Sequence, residues 1–138
     1  MCGDTCRKMT NSPPRAIVAG HANFAAGLVS AVEVITGRSD LFIALAVPLL
    51  SAADIERLLR ETIERTGVRV LFTDLNAGSC TMGARRILRD LPDIVIVCGA
   101  NLPALLDFAF AGDVPPADAA RHAAARGRGA LTIVEAMP

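Results

Sequence analysis

Short apolar runs alternate along this chain with stretches of helical periodicity. The predicted strands are the runs Arg15–Ala19, Leu41–Val47, Val68–Thr73 and Asp93–Cys98. Between them, apolar residues recur at spacings of three and four. The clearest case follows Ser51, where one helix face is apolar and the opposite face carries charged side chains. This alternation of strand and helix predicts a parallel sheet with helices on both faces.

Capping residues mark the ends of the predicted helices. The predicted N-terminal caps are Asn23, Ser51 and Asn101, and the predicted C-terminal caps are Gly37 and Gly67.

The other predicted elements are a helix over Ser79–Arg89, an alanine-rich helix that follows Pro115-Pro116 and ends near Arg126, and a last strand over Ala130–Glu135. The pattern predicts an α/β protein with a doubly wound, flavodoxin-like, mostly parallel sheet in strand order 2-1-3-4 and a C-terminal edge strand.

Polar residues follow two strands that this order makes neighbours. His21 comes after the first strand and Asp74 after the third, so the two side chains are predicted to face each other at the carboxyl edge of the sheet. A carboxylate on one ring nitrogen sets the histidine tautomer and leaves the other nitrogen free to attack an electrophile. Gly78-Ser79 begins a helix beside them, which is typical of an anion site. Together these residues predict phosphoryl transfer through a phosphohistidine.

Each of these residues also has a structural interpretation. His21 alone fits a polar loop residue, Asp74 fits a turn cap, and Gly78-Ser79 fits an ordinary helix start. Asn101 fits a helix cap whatever else it does. His122 lies on the alanine-rich helix, where its sequence neighbours offer no orienting carboxylate, so we expect it to be exposed and dispensable. Only the sheet edge that His21, Asp74 and Gly78-Ser79 share favours chemistry at these residues.

Composition narrows the classes of function. The chain has 138 residues, of which 52% are hydrophobic, and this fits one globular domain over residues 15–138 after a flexible leader over residues 1–14. The 14 basic and 14 acidic residues balance, so no nucleic-acid partner is expected. The longest apolar run is shorter than the ~20 residues that a membrane-spanning helix needs.

The cysteines give no framework for a metal or for disulfides. They are Cys2, Cys6, Cys80 and Cys98, with no Cys-x-x-Cys pair. No metal or cofactor is predicted. The N-terminal stretch lacks the apolar region of a signal peptide, so the chain is predicted to be cytoplasmic with reduced thiols. Cys80 lies at a predicted helix N-terminus, which can activate a thiol, but inert packing is the preferred interpretation.

Three motifs occur in order within the region from Arg15 to Phe110. They are Gly20–Leu28 continued by Glu33–Gly37, Phe72–Leu75 with Gly78-Ser79, and Gly99-Ala100-Asn101-Leu102-Pro103. Each motif is weak alone. Together and in this order they resemble the enzyme IIA component of the mannose/fructose/sorbose class of the bacterial sugar phosphotransferase system (PTS).

The resemblance implies a phosphocarrier. His21 would accept a phosphoryl group from phospho-HPr and pass it to a IIB component on a separate chain, which phosphorylates sugar taken up by a membrane permease. Asp74 would hold the other ring nitrogen, Ser79 and nearby amides such as that of Gly78 would receive the phosphoryl oxygens, and Asn23 and Asn101 would lie at the edge of the site. The resemblance also implies a homodimer with a mixed sheet, in which the last strand, Ala130–Glu135, can cross to the partner subunit.

The chain departs from the family pattern at its active-site turns. Ala22 stands where glycine often follows the histidine, Ala77 and Cys80 alter the Gly-Gly-Ser-Pro turn, and Met82 stands where asparagine is frequent. Loss of glycine narrows the backbone conformations open to the anion site. Three alternatives stay open: the related phosphocarrier subunit of dihydroxyacetone kinase, a regulatory module controlled by phosphorylation, and an inactive binding module.

Overall fold

The computed structural model describes residues 13–47 and 51–138. The predicted leader over residues 1–14 lies outside this range except for Pro13 and Pro14, and so do Cys2 and Cys6. No helix in the described part of the chain is long and apolar enough to cross a membrane.

Strands and helices alternate through the described residues as the sequence predicts. In chain order they are β1 (Ala16–Gly20), α1 (Phe24–Thr36), β2 (Phe42–Ala46), α2 (Ala52–Thr66), β3 (Val70–Thr73), α3 (Ser79–Ile87), β4 (Val95–Cys98), α4 (Leu102–Ala109) and α5 (Pro116–Gly129). The ends of these strands lie within two residues of the predicted ends, whereas α5 continues three residues beyond Arg126.

The four strands form one parallel sheet in the order β2-β1-β3-β4, which confirms the predicted fold. β1 lies between β2 and β3, and Val18 is paired with Ala44 on one side and Phe72 on the other. All five residues of β1 are buried. Because β1 and β3 are adjacent and parallel, the segments that leave their carboxyl ends begin side by side.

Alternate residues of the central strands supply two separate cores. Val18 and Phe72 pack on one face of the sheet against α1, α4 and α5. Ile17 and Leu71 pack on the other face against α2 and α3. This period-two alternation covers both faces with helices and leaves the carboxyl edge of the sheet free for a site.

Two of the three predicted N-caps form. The Ser51 hydroxyl accepts from the Asp54 N–H at 3.2 Å, and the Asn101 side-chain oxygen accepts from the Ala104 N–H at 3.0 Å. The helix α1 begins at Phe24 directly after Asn23, as predicted, but the Asn23 side chain makes no cap bond. Ser51 and Asn101 have extended backbones with ψ of 161° and 171°, whereas Asn23 has ψ of 13°. Only the extended conformation turns a side chain back toward the first helical N–H groups.

The predicted last strand over Ala130–Glu135 does not form within this subunit. Residues 131–138 have no regular secondary structure. The apolar side chains of Leu131, Ile133 and Val134 are exposed. A strand needs a neighbour for its backbone N–H and C=O groups. Within the described chain this segment is paired with none of the four strands.

Candidate functional site

His21 and Asp74 meet at the carboxyl edge of the sheet. His21 directly follows β1, and Asp74 directly follows β3. The His21 Nδ1 lies 2.7 Å from the Asp74 Oδ2, and the His21 backbone N–H donates to the same oxygen at 2.8 Å. Two bonds from one residue to one oxygen hold both the ring and its backbone against the carboxylate.

The two side chains of this pair differ in exposure. The Asp74 side chain is 10% exposed, whereas the His21 side chain is 59% exposed. Burial is the largest single influence on Asp74 and raises its pKa, but the hydrogen bonds and charge of His21 together bring the pKa below the ordinary value of 3.8. The buried Oδ1 has no hydrogen-bond partner among the described residues.

The ionised carboxylate determines the state of the imidazole. A carboxylate without a proton only accepts hydrogen bonds, so Nδ1 of a neutral His21 must carry the proton. Its other nitrogen, Nε2, is then unprotonated and belongs to a ring that is mostly open to solvent. This arrangement makes His21 a candidate nucleophile with a fixed orientation.

Gly20 makes the close approach of Asp74 possible. A Cβ at this position would lie 2.9 Å from the Asp74 Oδ2 and 2.8 Å from the Phe24 ring. Both distances are below normal van der Waals contact. A side chain at residue 20 would therefore displace the carboxylate that holds His21.

The N-terminus of α3 lies beside the imidazole. Gly78 is the residue before the helix, with a left-handed φ of 100°, and a Cβ there would lie 4.0 Å from the His21 Cε1. Ser79 is the first helical residue and is exposed. The first N–H groups of a helix have no partner within the helix and carry positive partial charge. The structure thus brings the predicted anion-binding residues next to the predicted nucleophile.

Two buried threonines hold the loop between Asp74 and α3. The Thr73 hydroxyl donates to the Leu75 carbonyl at 3.1 Å, and the Thr81 hydroxyl donates to the same carbonyl. The two hydroxyl oxygens lie 2.9 Å apart. These contacts between the two threonines and the Leu75 carbonyl hold the loop against the first turn of α3. The amino-acid pattern did not predict this arrangement, although a buried hydroxyl at the end of an apolar strand is a signal that it has a local partner.

Ala22 adopts a left-handed backbone directly after His21. Its φ is 47°, a region that non-glycine residues seldom occupy. The left-handed conformation costs about 1–2 kcal/mol for an L-residue that has a Cβ. Glycine often stands at this position in the family, and the alanine found here therefore places backbone strain next to the candidate nucleophile.

The other predicted site residues have different surroundings. Asn23 is exposed at the start of α1. Asn101 caps α4 and also donates from Nδ2 to the Gly127 carbonyl at 2.9 Å, so its amide joins α4 to α5. Cys80 is 1% exposed, and burial, followed by the charge of Asp74, raises its pKa to about 11. A thiol with that pKa is protonated at neutral pH, which favours the inert interpretation.

His122 is exposed as predicted, and the carboxylate that its sequence neighbours do not offer is supplied by another helix. Its Nδ1 lies 2.7 Å from the Asp107 Oδ2. Asp107 belongs to α4 and His122 to α5. The packing of these two helices, and not sequence proximity, creates the pair. Within residues 13–47 and 51–138, no group of three or more ligand-type side chains is placed to hold a metal ion.

Comparisons with known proteins give a consistent result. The sequence model of the family described as PTS system fructose IIA component matches residues 15–125. The fold is similar to that of a mannose/sorbose-specific IIA subunit of the phosphotransferase system from Enterococcus faecalis, with a TM-score of 0.81 and 18% identity over 92% of this chain and 98% of that chain.

Two streptococcal structures show the same fold. A PTS IIA protein associated with the fucose utilization operon of Streptococcus pneumoniae has a TM-score of 0.72 and 20% identity over 87% of this chain and 92% of that chain. A phosphotransferase system component EIIA from Streptococcus agalactiae has a TM-score of 0.70 and 19% identity over 86% of this chain and 95% of that chain. No curated protein matches this chain in sequence.

Proposed function

This chain belongs to the PTS fructose IIA family, and from that premise we propose that it carries a phosphoryl group on His21 between phospho-HPr and a IIB component. The observation that carries the proposal is the 2.7 Å contact between the His21 Nδ1 and the Asp74 Oδ2, next to the N-terminus of α3. It leaves Nε2 as the attacking nitrogen. A permease that takes up the sugar would be an indirect partner.

The transfer step requires the lone pair of one ring nitrogen, and no proton is transferred during it. The Nε2 lone pair forms a bond to the phosphorus while the bond from phosphorus to the donor breaks, and the donor leaves with that electron pair. The Nδ1 proton stays directed at the Asp74 Oδ2, whose charge offsets the positive charge of the substituted ring. Transfer to the IIB component is the same displacement with His21 as the leaving group.

Phosphoryl oxygens would be received at the start of α3. The transferring group carries its negative charge on three oxygens, so catalysis is mostly positioning and electrostatic stabilisation. The open N–H groups of the first turn and the exposed Ser79 hydroxyl supply donors beside the ring. Gly78 supplies the left-handed φ of 100° at which the chain turns into α3 beside His21.

We also propose that the chain works as a homodimer. Leu131, Ile133 and Val134 lie exposed after α5, at 86%, 84% and 94%. An apolar segment with unpaired backbone is suited to pairing with another chain. Light scattering at micromolar concentration should give twice the chain mass, and deletion of residues 130–138 should shift it to the monomer mass. A monomer in both cases would contradict the homodimer.

The carrier role is tested by following the label. The protein is incubated with phosphoenolpyruvate, enzyme I and HPr, and then with a IIB component. We expect label on His21 that is lost in acid, persists in base, and leaves the chain when the IIB component is added. Label on Ser79, or no label at all, would mean that the carrier mechanism is wrong.

A further inference from the structure

Three threonines are the buried polar residues of the described part of the chain, and two of them meet beside the phosphoryl site. Thr62, Thr73 and Thr81 are 2%, 0% and 1% exposed. The Thr62 hydroxyl donates to the Leu58 carbonyl at 2.8 Å, one turn earlier in its own helix, which is an ordinary local bond. The hydroxyls of Thr73 and Thr81 instead meet at the carbonyl of Leu75, which lies in a loop. This pair therefore acts on a segment that no helix or strand holds.

The Leu75 carbonyl accepts at least one hydrogen bond in every arrangement of these two hydroxyls. Each hydroxyl carries a single proton. The oxygens of Thr73 and Thr81 lie 2.9 Å apart, so only one of them can donate to the other at a time. The remaining proton is then directed at Leu75. Because both hydroxyls are buried, solvent water does not compete for these bonds.

The loop that these bonds hold joins the two parts of the phosphoryl site. Residues 74–78 begin with Asp74, which orients His21, and end at the start of α3. After Asp74 the loop is exposed, so apolar packing contributes little to its position. Among the described residues, 75–77 form no hydrogen bond other than those at the Leu75 carbonyl. The threonine hydroxyls are therefore the polar groups that fix the course of the loop.

The two threonines hold the loop from different sides. Thr73 is the last residue of β3 and connects the Leu75 carbonyl to the strand before the loop. Thr81 is the third residue of α3 and connects the same carbonyl to the helix after it. Only Thr81 therefore links the loop directly to the helix whose first N–H groups would receive the phosphoryl oxygens.

This link fixes a distance on which the transfer depends. The carboxylate at one end of the loop orients the nucleophile, and the helix at the other end supplies donors for the anion. Phosphoryl transfer is catalysed mostly by positioning and electrostatic stabilisation. A displacement of about 1 Å in a reacting arrangement can slow a reaction about 100-fold. A loop without its link to α3 would let the two parts of the site move relative to each other.

We propose that Thr81, supported by Thr73, is a positioning residue for phosphoryl exchange: its buried hydroxyl holds the Leu75 carbonyl and thereby fixes the N-terminus of α3 relative to His21. The inference rests on the proposed function, because it requires a phosphoryl group that moves to and from His21. It adds a residue that touches neither the phosphorus nor a partner protein and acts through the loop alone.

The test removes the hydroxyl of Thr81 and keeps the shape of the side chain. Thr81→Val replaces the hydroxyl by a methyl group and leaves Thr73 to donate to Leu75, whereas Thr81→Ser keeps the hydroxyl. The matched control is Thr62→Val, which removes an equally buried hydroxyl from α2. Rates of transfer from phospho-HPr are measured against its concentration, and circular dichroism shows that each variant is folded at the assay temperature.

The expected result is a lower maximal rate without a change in partner affinity. The rate at saturating phospho-HPr should fall about 10- to 100-fold in Thr81→Val. The half-saturating concentration should stay within about twofold, because a residue this buried does not contact the donor protein. Thr81→Ser and Thr62→Val should keep rates within about threefold of the wild-type protein. Thr73→Val should lose less than Thr81→Val, because the link to α3 remains.

Several outcomes would overturn the positioning role alone, with His21 labelled normally in the wild-type protein. These are a wild-type rate in folded Thr81→Val, an equal loss in Thr62→Val, an equal loss in Thr81→Ser, or a change confined to the half-saturating concentration. If Thr81→Val does not fold, Thr81→Ala also lacks the hydroxyl and is held to the same expectations. A wild-type protein that takes no label from phospho-HPr would instead overturn the carrier role, and the positioning role with it.

Discussion

Two histidine–aspartate pairs in this protein share one contact distance and have different surroundings. In each pair the imidazole Nδ1 lies 2.7 Å from a carboxylate oxygen, in His21–Asp74 and in His122–Asp107. Both rings are mostly exposed, at 59% and 68%. Asp107 also lies 3.7 Å from Arg126, whereas Asp74 accepts a second hydrogen bond from the His21 backbone. A short His–Asp contact therefore does not by itself define a phosphoryl site.

The difference lies in what faces the free ring nitrogen. His21 stands in the loop after β1, beside Gly78 at the open N-terminus of α3. His122 lies inside α5, where backbone N–H groups are consumed by the helix itself. An incoming phosphoryl group needs donors for its oxygens as well as a nucleophile for its phosphorus. The first pair has open N–H groups beside a candidate nucleophile, and the second has an exposed imidazole without such donors.

Exchanging each histidine for alanine should separate the two pairs most strongly. His21→Ala should abolish uptake from phospho-HPr, a loss of more than about 1,000-fold, because the bond to phosphorus cannot form. His122→Ala should label at a rate within about twofold of the wild-type protein, since its surroundings offer no anion site. Initial rates of labelling by phospho-HPr measure the effect of each substitution. A large loss in His122→Ala would show that the second pair takes part in transfer.

Removing the carboxylate charge should have the next largest effect. Asp74→Asn should slow phosphoryl transfer about 100- to 1,000-fold, because the tautomer is no longer set and the ring charge is not offset. Asp107→Asn is the matched control and should leave the rate unchanged. Phosphoryl-transfer rates of the two variants, measured under single-turnover conditions, test this prediction. Equal rates for the two variants would leave no catalytic difference between the pairs.

The same Asp74→Asn change should alter how the free energy of unfolding depends on pH in the acid range. The pKa of Asp74 is lower in the folded state than its ordinary value of 3.8. The contact with His21 therefore stabilises the protein fully at pH values above 3.8. This stabilisation is lost as the pH falls from 3.8 through the pKa of the folded state. Urea unfolding midpoints from neutral pH to pH ~3 should therefore fall less steeply in Asp74→Asn than in the wild-type protein. Parallel curves would argue against the lowered pKa.

A methyl group at Gly20 should disturb the first pair without touching the second. Gly20→Ala places a Cβ 2.9 Å from the Asp74 Oδ2 and 2.8 Å from Phe24, and crowding of this kind costs about 1–3 kcal/mol. Both stability and transfer rate should fall. Gly27→Ala in α1 is the control, because nothing lies within 4 Å of its Cβ position, and helix propensity should stabilise it by about 0.5–1 kcal/mol. Chemical unfolding gives both values.

The smallest expected effect is relief of the strain next to His21. Ala22→Gly removes the Cβ from a residue with φ of 47° and should stabilise the protein by about 0.5–1 kcal/mol, the left-handed penalty less the added chain entropy. Ala26→Gly, at an exposed position within α1, should instead destabilise by about 1 kcal/mol. If Ala22→Gly destabilises to the same extent, residue 22 is not strained.

Local pattern and topology together determined most of the fold and the centre of the site. The period of the apolar residues distinguishes strand from helix, and a Ser51 or Asn101 cap depends only on atoms within three residues. Once four parallel strands adopt the order 2-1-3-4, the residues after β1 and β3 must lie side by side. His21 and Asp74 could therefore be paired from the sequence although they lie 53 positions apart.

Tertiary packing alone decided the remaining features. His122 meets Asp107 because α4 and α5 pack together, and no local pattern specifies how two helices are rotated against each other. Thr73 and Thr81 meet at the Leu75 carbonyl because β3 and α3 approach over a short loop. Residues 131–138 have the composition of a strand but no strand beside them in this subunit. Composition sets what a segment can form, whereas a strand also requires a neighbour to complete its backbone hydrogen bonds.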